Sequence, residues 1–332
     1  MIPEKMNRDR LNMSQMRSIV ITGVSSFIGI YLVKHFIWLG YKTICTISRP
    51  KNCYSGERLD RINLAIRMGA QLEVLNITQQ EEVVDFIHTF RPYCWIHHAG
   101  WTENYQSLDY NLAKAHDINV APLEYIYSEL KSVGCSGVIV TGSSAEYTDS
   151  SVAAEESDMC APTMPYGLAK LSQTLRAKQL AEHYSLPTRV ARVFIPYGAM
   201  DAPAKLLPSV VSALRMNSPV QLTECTQIRD FLYIDDLVAG YNCLVRDLER
   251  SSRFEIFNLS SGEPTMLRDF LLSIADLTKA DASLLRFGER ATRLGEFGSS
   301  CGSNLKAQSV LGWTPRSLEY GITSYLNDYN SE

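Results

Sequence analysis

The chain has 332 residues, of which 45% are apolar and 20% are charged, with 32 Lys and Arg against 36 Asp and Glu. This composition is typical of a globular protein with one large or two smaller domains, and it excludes long disorder. The net charge of −4 gives no basic patch for nucleic acid, and no apolar run reaches the roughly 20 residues that a membrane span needs. We therefore expect a protein that binds neither nucleic acid nor membrane.

The cysteines and the first residues both bear on the cellular compartment. No two of the eight cysteines have CxxC spacing, and several stand inside apolar runs, which predicts reduced core thiols. The lead over 1–16 is polar and has no apolar core of the kind that a secretory signal needs. Both features predict a cytoplasmic protein.

Short apolar runs rich in β-branched residues alternate with segments of helical spacing along the first 195 residues. Strands are predicted over 18–22, 43–48, 71–75, 93–97, 137–141 and 188–194. Helices are predicted over 27–39, between the second strand and about residue 68, and from a capping box at 78–81 to residue 90. This alternation predicts an α/β fold with a doubly wound parallel sheet. The pattern loosens after Tyr197, which predicts a smaller irregular domain.

The first predicted strand runs into a turn that reads TGVSSFIG at 22–29. Glycines in such a turn allow a pyrophosphate to approach closely and to rest on the N-terminus of the next helix, as in dinucleotide sites. Ser26 replaces the middle glycine, and a glycine turn before a helix is common, so the motif alone is weak. The predicted cofactor contacts in this turn are Gly23, Ser25, Ser26, Phe27, Ile28 and Gly29.

The end of the second predicted strand indicates which dinucleotide would bind. It reads Ser48-Arg49-Pro50-Lys51 and contains no acidic residue. An acid at this place binds the ribose 2′-hydroxyl of NAD, whereas Arg49 and Lys51 suit the 2′-phosphate of NADP. NADP is therefore favoured, and a solvated basic loop is the alternative.

A Tyr followed four residues later by a Lys places an ammonium near a phenol on one helix face. One charge at about 4 Å supplies about 4 kcal/mol at an effective dielectric of 20, enough to bring a phenol pKa from about 10 to about 7. Three pairs have this spacing, namely Tyr110/Lys114, Tyr127/Lys131 and Tyr166/Lys170. Only the last follows the hydroxyl-rich strand end at 141–144, so we predict Tyr166 and Lys170 as the catalytic pair, with a hydroxyl donor from that strand end, and the other pairs as helix surface.

At this point the chain resembles the extended short-chain dehydrogenase/reductase family, in its nucleotide-sugar branch. The resemblance covers residues 17–318 and implies a Rossmann-like sheet with a smaller C-terminal substrate domain. The segments that carry it are TGVSSFIG (22–29), HHAG (97–100), GSSAEY (142–147), PYGLAK (165–170), RVFIPYG (192–198), RDFLYIDDL (229–237), FNLSSGEPT (257–265) and LGWTPR (311–316).

The resemblance also implies domain limits and further contacts. An NADP-binding domain is expected over 17–195, with 226–257 returning to it, and a domain for a nucleoside-diphosphate sugar over 196–225 and 258–332. The resemblance implies Ser143, Tyr166 and Lys170 as the catalytic trio, and Tyr166 and Lys170 would also touch the cofactor. Its other expected contacts are Asn76, Ile77, His98, Ala99, Gly100 and Phe194. The expected substrate contacts are Ser144, Glu146, Lys205, Arg229 and Arg293. Helices around 112–131 and 163–184 commonly form a homodimer in this family.

Family chemistry divides among epimerases, dehydratases and reductases. Dehydratases carry an Asp-Glu pair directly after the catalytic hydroxyl residue, where this chain has Ser144 and Ala145. Combined epimerase-reductases carry a Cys at the place of Ala145. Glu146 resembles the form found in some 4-keto-6-deoxy sugar reductases, and Arg49 favours NADPH, which a net reductase consumes. The predicted function is NADPH-dependent reduction of a nucleotide-linked keto-sugar. The alternatives are a 4-epimerase with tightly bound NAD and, more remotely, a non-catalytic NADP-sensing module.

Overall fold

The computed structural model describes residues 17–250, 253–292 and 298–331. The strands are β1 (Ser18–Thr22), β2 (Lys42–Ile47), β3 (Gln71–Val74), β4 (Cys94–His97), β5 (Gly137–Ser143), β6 (Thr188–Val193), β7 (Ile195–Tyr197), β8 (Val220–Gln221), β9 (Ile228–Tyr233), β10 (Phe254–Leu259), β11 (Pro264–Met266), β12 (Leu285–Arg286) and β13 (Ser299–Ser300). The α-helices are α1 (Phe27–Trp38), α2 (Gly56–Arg67), α3 (Gln80–Phe90), α4 (Leu112–Asn119), α5 (Leu123–Ser132), α6 (Pro165–Tyr184), α7 (Leu206–Arg215), α8 (Ile234–Asp247), α9 (Leu267–Leu277) and α10 (Leu318–Ser331).

Seven parallel strands form the main sheet in the order β3-β2-β1-β4-β5-β6-β10. The strand order reverses between β1 and β4, and ligands of doubly wound sheets bind at the carboxyl ends of the strands beside such a reversal. The turn after β1 and the residues after β4 and β5 therefore meet at one edge of the sheet. The predicted strands of the first 195 residues lie within one or two residues of the observed limits.

The capping box predicted at 78–81 is wrong. Helix α3 begins at Gln80 after Gln79, and no side chain caps it. The Thr78 hydroxyl instead donates to Asn76 Oδ1 at 2.9 Å, and the Thr78 amide donates to the same oxygen at 3.2 Å. The Thr78 hydroxyl is therefore bonded within a local Asx-type turn and does not cap the helix.

Apolar side chains cover both faces of the main sheet. Along β1, Ile19 and Ile21 pack into the cluster that includes α1, α2 and α8, whereas Val20 packs into the cluster that includes α3, α5 and α6. This is the alternation that a strand buried on both faces requires. The sheet edge that carries the site is thus held between two packed layers.

Strand β6 carries two buried arginines in an apolar run. Arg189 is fully buried, and its Nε donates to Asp247 Oδ2 at 2.7 Å at the end of α8. It also donates to the Arg253 carbonyl at 2.6 Å, directly before β10. These bonds join β6 to the segment that completes the sheet, since β10 pairs with β6 in parallel.

The C-terminal part is more regular than the loosened sequence pattern predicts. Strand β9 pairs with β7, β11 and β13 in a small mixed sheet, β8 pairs with β12, and α7, α9 and α10 lie in the same part of the chain. The segment 226–257 contributes β9 to the small sheet and most of β10 to the main sheet. The domain limits predicted from the sequence stay a prediction.

All eight cysteines carry free thiols. Over the ranges 17–250, 253–292 and 298–331, no helix combines the length and the apolar character needed to span a bilayer.

Candidate functional site

The turn after β1 is built for close approach of a ligand to the backbone. Gly23 has φ +82°, and a Cβ there would lie 3.1 Å from the Ala99 Cα. A Cβ on Gly29 would lie 2.3 Å from the Gly23 carbonyl oxygen, so both positions need glycine. Ser26 is the N-cap of α1, and its Oγ accepts from the Gly29 amide at 3.0 Å.

The first amides of α1, those of Phe27 and Ile28, have no carbonyl four residues earlier in the helix to accept from them, which is the donor arrangement that binds phosphate. The Phe27 side chain is buried and packs edge-on against Tyr31, so its contact to a cofactor would run through the backbone. The Ser25 carbonyl accepts from the buried Arg61 at 3.0 Å, which ties the turn to α2. The residues present thus fit a dinucleotide pyrophosphate.

The residues after β2 and β3 lie where an adenosine ribose would be expected. Arg49 and Lys51 are exposed, and the Arg49 guanidinium carbon lies 5.4 Å from the centre of the Tyr54 ring. Asn76 Oδ1 is engaged by Thr78, and Ile77 is a buried core residue whose carbonyl accepts from Tyr125 at 2.6 Å. The side chain of Ile77 therefore belongs to the core, and only its backbone is left for the predicted cofactor contact.

The segment after β4 is hydrogen-bonded to the turn after β1, residues 22–29, which we call the phosphate turn because of its predicted role. Thr22 Oγ1 accepts from the amides of His98 and Ala99, each at 2.9 Å. The His98 ring contacts Ser26 Oγ through Nε2 at 2.8 Å and Thr141 Oγ1 through Nδ1 at 3.1 Å. Burial lowers the pKa of His98 to about 3, and Lys170 adds to this effect, so the ring is neutral at ordinary pH. Gly100 is exposed at the end of the segment.

Ser143 and Tyr166 lie together at the carboxyl edge of the sheet. Ser143 ends β5, and Tyr166 stands in the first turn of α6. Burial drives the pKa of the Tyr166 phenol well above its ordinary value, and the Ser143 side chain acts against this rise. The phenol is therefore fully protonated near neutral pH. The sequence-based expectation that a neighbouring ammonium brings this pKa to about 7 is wrong for this structure, because desolvation dominates.

Lys170 lies one helical turn after Tyr166 and is buried. Its ammonium donates to the Thr141 carbonyl and, at 2.5 Å, to Gln173 Oε1. Burial lowers the pKa of Lys170 to about 8 while Glu146 acts to raise it, so the lysine carries its charge at neutral pH. Its ammonium is thus oriented by β5 and by its own helix.

Glu146 is not a substrate contact, in contrast to the prediction. It is fully buried, with Oε1 accepting from the Ser143 amide at 2.9 Å and Oε2 accepting from Arg192 Nε at 3.0 Å. Ser143 and Glu146 together form the capping box of a short 3₁₀ turn. Glu146 therefore holds the backbone of Ser143 from inside the protein.

The other two Tyr/Lys pairs are not surface pairs. Tyr127 is fully buried, and its hydroxyl accepts from Thr188 at 3.3 Å in the core beneath the sheet. Tyr110 precedes α4, donates to the Trp101 carbonyl at 2.7 Å, and packs its ring edge-on against Tyr166 with centroids 5.7 Å apart. Only the lysines of these pairs, Lys114 and Lys131, are exposed.

A small pocket is lined among others by Ser144, which directly follows Ser143, and by Phe194 and Cys301. The loop over 148–154 also lines it, and Asp149 accepts from the amides of Gly298 and Ser299 at 2.7 and 2.8 Å. The C-terminal part and the sheet edge thus enclose the pocket from separate parts of the chain.

The other predicted substrate residues lie in or near the C-terminal part. Arg229 in β9 is half-buried, pairs in register with Ser300 of the pocket lining, and influences the pKa of Cys301. Lys205 precedes α7 and forms an ion pair with Asp201 at 2.9 Å. Arg293 lies outside the described residues.

Several residues that shape the site escaped the sequence analysis. Arg192 and Gln173 hold Glu146 and Lys170, and Thr141 links His98 to Lys170. A signal existed for Arg192, because a charge inside a strand that is buried on both faces must be paired. Thr141 lies in the hydroxyl-rich strand end at 141–144, but no local pattern marks its bonds to His98 and Lys170 or the role of Gln173, because these depend on tertiary contacts. Within residues 17–250, 253–292 and 298–331, no cluster of three or more His, Cys, Asp or Glu is arranged to hold a metal ion.

The comparisons with known proteins establish the family. The chain belongs to the NAD dependent epimerase/dehydratase family, which it matches over residues 19–260. A UDP-glucuronate 4-epimerase of Thermodesulfobacterium geofontis is 24% identical over 93% of this chain and 94% of that protein. A dTDP-4-dehydro-6-deoxyglucose reductase of Escherichia coli is 26% identical over 45% of this chain and 48% of that protein.

Solved structures confirm the predicted fold class. The UDP-glucose 4-epimerase of Thermotoga maritima, solved with UDP-glucose, superposes with a TM-score of 0.80 at 22% identity, over 95% of this chain and 98% of that chain. The dTDP-glucose 4,6-dehydratase of Bacillus anthracis, solved with NAD, superposes with a TM-score of 0.81 at 18% identity, over 95% and 97%. The predicted family resemblance is likewise confirmed.

Gly167 allows the start of α6 to pack closely against the short 3₁₀ turn that follows Ser143. A Cβ at Gly167 would lie 2.1 Å from the Ala145 carbonyl oxygen and 2.7 Å from Pro162 Cβ, so Gly167→Ala should push the helix start away. We expect Tm to fall by roughly 2–8 °C, corresponding to about 1–3 kcal/mol of overpacking. The measurement is a thermal melt. Arg58→Ala, which truncates an exposed side chain of α2, should leave Tm within about 1 °C; an equal drop in both variants would contradict the close-approach argument.

Proposed function

Because the chain belongs to the NAD dependent epimerase/dehydratase family, we propose that it reduces the keto group of a nucleoside-diphosphate-linked 6-deoxy keto-sugar with NADPH. The observation that carries the proposal is the placement of Ser143 at the carboxyl end of β5 beside Tyr166 in the first turn of α6, with the buried Lys170 one turn further along the helix. The product would be a nucleotide-activated deoxysugar.

The proposed reaction assigns each member of the trio a role. When bound, NADPH supplies the hydride. Tyr166 donates its proton to the alkoxide that develops at the reduced carbon and later regains a proton from solvent, while Ser143 donates a hydrogen bond to the same oxygen. The raised pKa of Tyr166 keeps it in the acid form that this direction needs. Lys170 carries the charge that favours the phenolate and would orient the nicotinamide ribose.

Dehydration is disfavoured by the residues after Ser143. In the dehydratases that the sequence resembles, an Asp-Glu pair at this place acts as acid and base. Here Ser144 and Ala145 offer neither group, and the next residue, Glu146, is fully buried and engaged by Arg192 and by Ser143. An elimination would therefore lack its acid and base at the substrate.

The choice of NADP rests on the exposed residues after β2. Arg49 and Lys51 are both accessible, and no acid stands between Ser48 and Lys51 to bind a ribose 2′-hydroxyl. Two cations there favour a 2′-phosphate. The phosphate turn itself suits either dinucleotide, because both share the pyrophosphate.

A 4-epimerase with bound NAD is the second candidate. The UDP-glucuronate 4-epimerase matches this chain over nearly its whole length, and several solved structures of similar fold were obtained with NAD. An epimerase would use the same Ser143, Tyr166 and Lys170, so the trio does not separate the two functions. The identity of the bound cofactor and the net reaction separate the two functions.

We also propose that α4 and α6 form a homodimer interface. Leu112, Leu168 and Leu175 are 40%, 46% and 58% exposed, and Leu168 and Leu175 lie two turns apart on the same face of α6. Exposed apolar side chains at this spacing on packed helices suit burial against a second copy.

The cofactor test separates the two candidate reactions. Purified protein should lack stoichiometric NAD and should consume NADPH in preference to NADH when given nucleotide-linked 4-keto-6-deoxy sugars. Arg49→Asp should weaken the binding of NADPH by roughly ten- to a hundredfold, because a charge-assisted contact to the 2′-phosphate becomes a repulsion. Arg67→Asp, the same charge change at the far end of α2, should leave the preference intact. Bound NAD with interconversion of two nucleotide sugars, without added NADPH, would establish the epimerase instead.

The role of Tyr166 can be tested against the other two tyrosines. Tyr166→Phe should lower kcat by at least about 100-fold, since positioned proton transfer contributes about that much. Tyr127→Phe and Tyr110→Phe keep their rings and should retain most of the activity. Steady-state kinetics on folded protein provides the measurement. A loss in either control as large as that of Tyr166→Phe would refute the choice among the three pairs.

Arg229 is proposed to bind the substrate diphosphate. Arg229→Ala should raise KM for the nucleotide sugar about tenfold or more with little change in kcat or in the Kd of the cofactor, because a remote anchor holds ground and transition states alike. Arg268→Ala, at an exposed arginine of α9, is the control. An unchanged KM would remove Arg229 from the substrate site.

The dimer is tested by mass. Light scattering should give about twice the 37.3 kDa of the chain. Leu168→Glu combined with Leu175→Glu should return the protein to the monomer mass, because two carboxylates would be buried without partners. A wild-type protein that is monomeric at micromolar concentration would contradict the proposed interface.

A further inference from the structure

Ser26 stands where the resembled motif has a glycine, and its hydroxyl is fully used within the protein. Besides accepting from the Gly29 amide, Oγ donates to the Gly23 carbonyl at 2.9 Å and lies 2.8 Å from His98 Nε2. The backbone at Ser26 is extended, with φ −82° and ψ 162°, so a side chain is accommodated without strain. The serine hydroxyl is thus part of the turn's own structure.

The His98 ring continues this set of bonds into the core. Nδ1 contacts Thr141 Oγ1 at 3.1 Å, and Thr141 Oγ1 contacts the fully buried Tyr241 hydroxyl at 2.7 Å. Thr141 also offers its carbonyl to the Lys170 ammonium, and Ser143 follows two residues later in β5. A continuous set of hydrogen bonds therefore joins the phosphate turn to the strand of the catalytic serine.

Counting donors gives the direction of every bond in this set. Among the described residues, Thr141 Oγ1 is the one hydrogen-bond partner of the buried Tyr241 hydroxyl, and its O–H is satisfied only by donating, so we assign Tyr241 as the donor. Thr141 then donates its own proton to His98 Nδ1, and His98 Nε2–H donates to Ser26 Oγ. Ser26 is left free to donate to the Gly23 carbonyl. Each donor has one acceptor, and the ring is the neutral Nε2–H tautomer, which agrees with its low pKa.

We propose that His98 is a positioning residue of the dinucleotide site, which fixes the Ser26 hydroxyl in the phosphate turn and ties that turn to β5. The proposal rests on the proposed binding of a nicotinamide dinucleotide. With Ser26 fixed, its Oγ occupies the Gly29 amide and leaves the first amides of α1 oriented for the pyrophosphate. Without His98, the serine gains rotamers that must be reordered when the ligand binds.

The test is a double-mutant cycle on dinucleotide affinity. Kd values for NADPH and for NADH are measured by fluorescence titration of the full chain in wild type, His98→Leu, Ser26→Gly and the double variant. Both nucleotides are used because they share the pyrophosphate. We expect His98→Leu to weaken binding about three- to tenfold with Ser26 present and less than twofold in the Ser26→Gly background. Equal losses in both backgrounds, or no loss, would overturn the proposal.

A second pair of variants covers the case in which His98→Leu does not fold. In His98→Gln the amide reaches the position of Nε2 and can donate to Ser26, whereas in His98→Asn it reaches only the Thr141 side. We expect Gln to restore a Kd within about twofold of wild type and Asn to remain three- to tenfold weaker. Equal Kd values for the two variants would contradict the role of the Ser26 bond.

These readouts are independent of the proposed reduction. Coupling between His98 and Ser26 in a protein that reduces none of the keto-sugars would support the inference and reject the reductase. Reduction of a keto-sugar without coupling would support the reductase and reject the inference. A wild-type chain that binds neither NADPH nor NADH would reject both.

Discussion

The candidate site at the carboxyl edge of the sheet depends on an ion pair that is closed off from solvent. Glu146 and Arg192 are both buried, and removing two charges from water costs several kcal/mol per ion unless geometry and further hydrogen bonds offset it. Arg192 also donates to the Tyr147 hydroxyl at 2.8 Å, and Tyr147 in turn donates to Asn258 at 2.8 Å. The remaining carboxylate oxygen holds the Ser143 amide. Residues in or beside β5, β6 and β10 thereby fix the position of Ser143.

The same carboxylate shapes the charge of the site. Burial lowers the pKa of Lys170, and the negative charge of Glu146 acts against this, so the lysine stays charged at neutral pH. That charge and desolvation keep His97 and His98 neutral, each with a pKa of about 3. At neutral pH the ammonium of Lys170 is thus the cation among these three groups. The proposed phenolate would form against this one positive charge.

The sequence was informative where a local pattern has one structural solution. Buried parallel strands must be apolar runs, and a tight turn before a helix needs glycine, so the strands and the phosphate turn were predictable. The resemblance implies Glu146 as a substrate contact, but the local sequence does not show its partner, because Arg192 stands 46 residues later and pairs with it inside the protein. Tyr110 and Tyr127 are each followed by a lysine four residues later, as Tyr166 is. Only tertiary packing shows that Tyr110 packs against the Tyr166 ring and that Tyr127 lies in the core.

The pairing of β6 with β10 has a consequence for biosynthesis. Until Phe254–Leu259 has left the ribosome, β6 is an open edge of the sheet, and Arg189 lacks the partners that stand at 247 and 253. At roughly 5–20 residues per second, the nascent sheet waits on the order of several seconds in this state. An unpaired, apolar edge strand invites pairing with other chains. A gene fragment cut after β6 should therefore yield aggregates, and excision of the part that forms the main sheet requires a splice that retains β10.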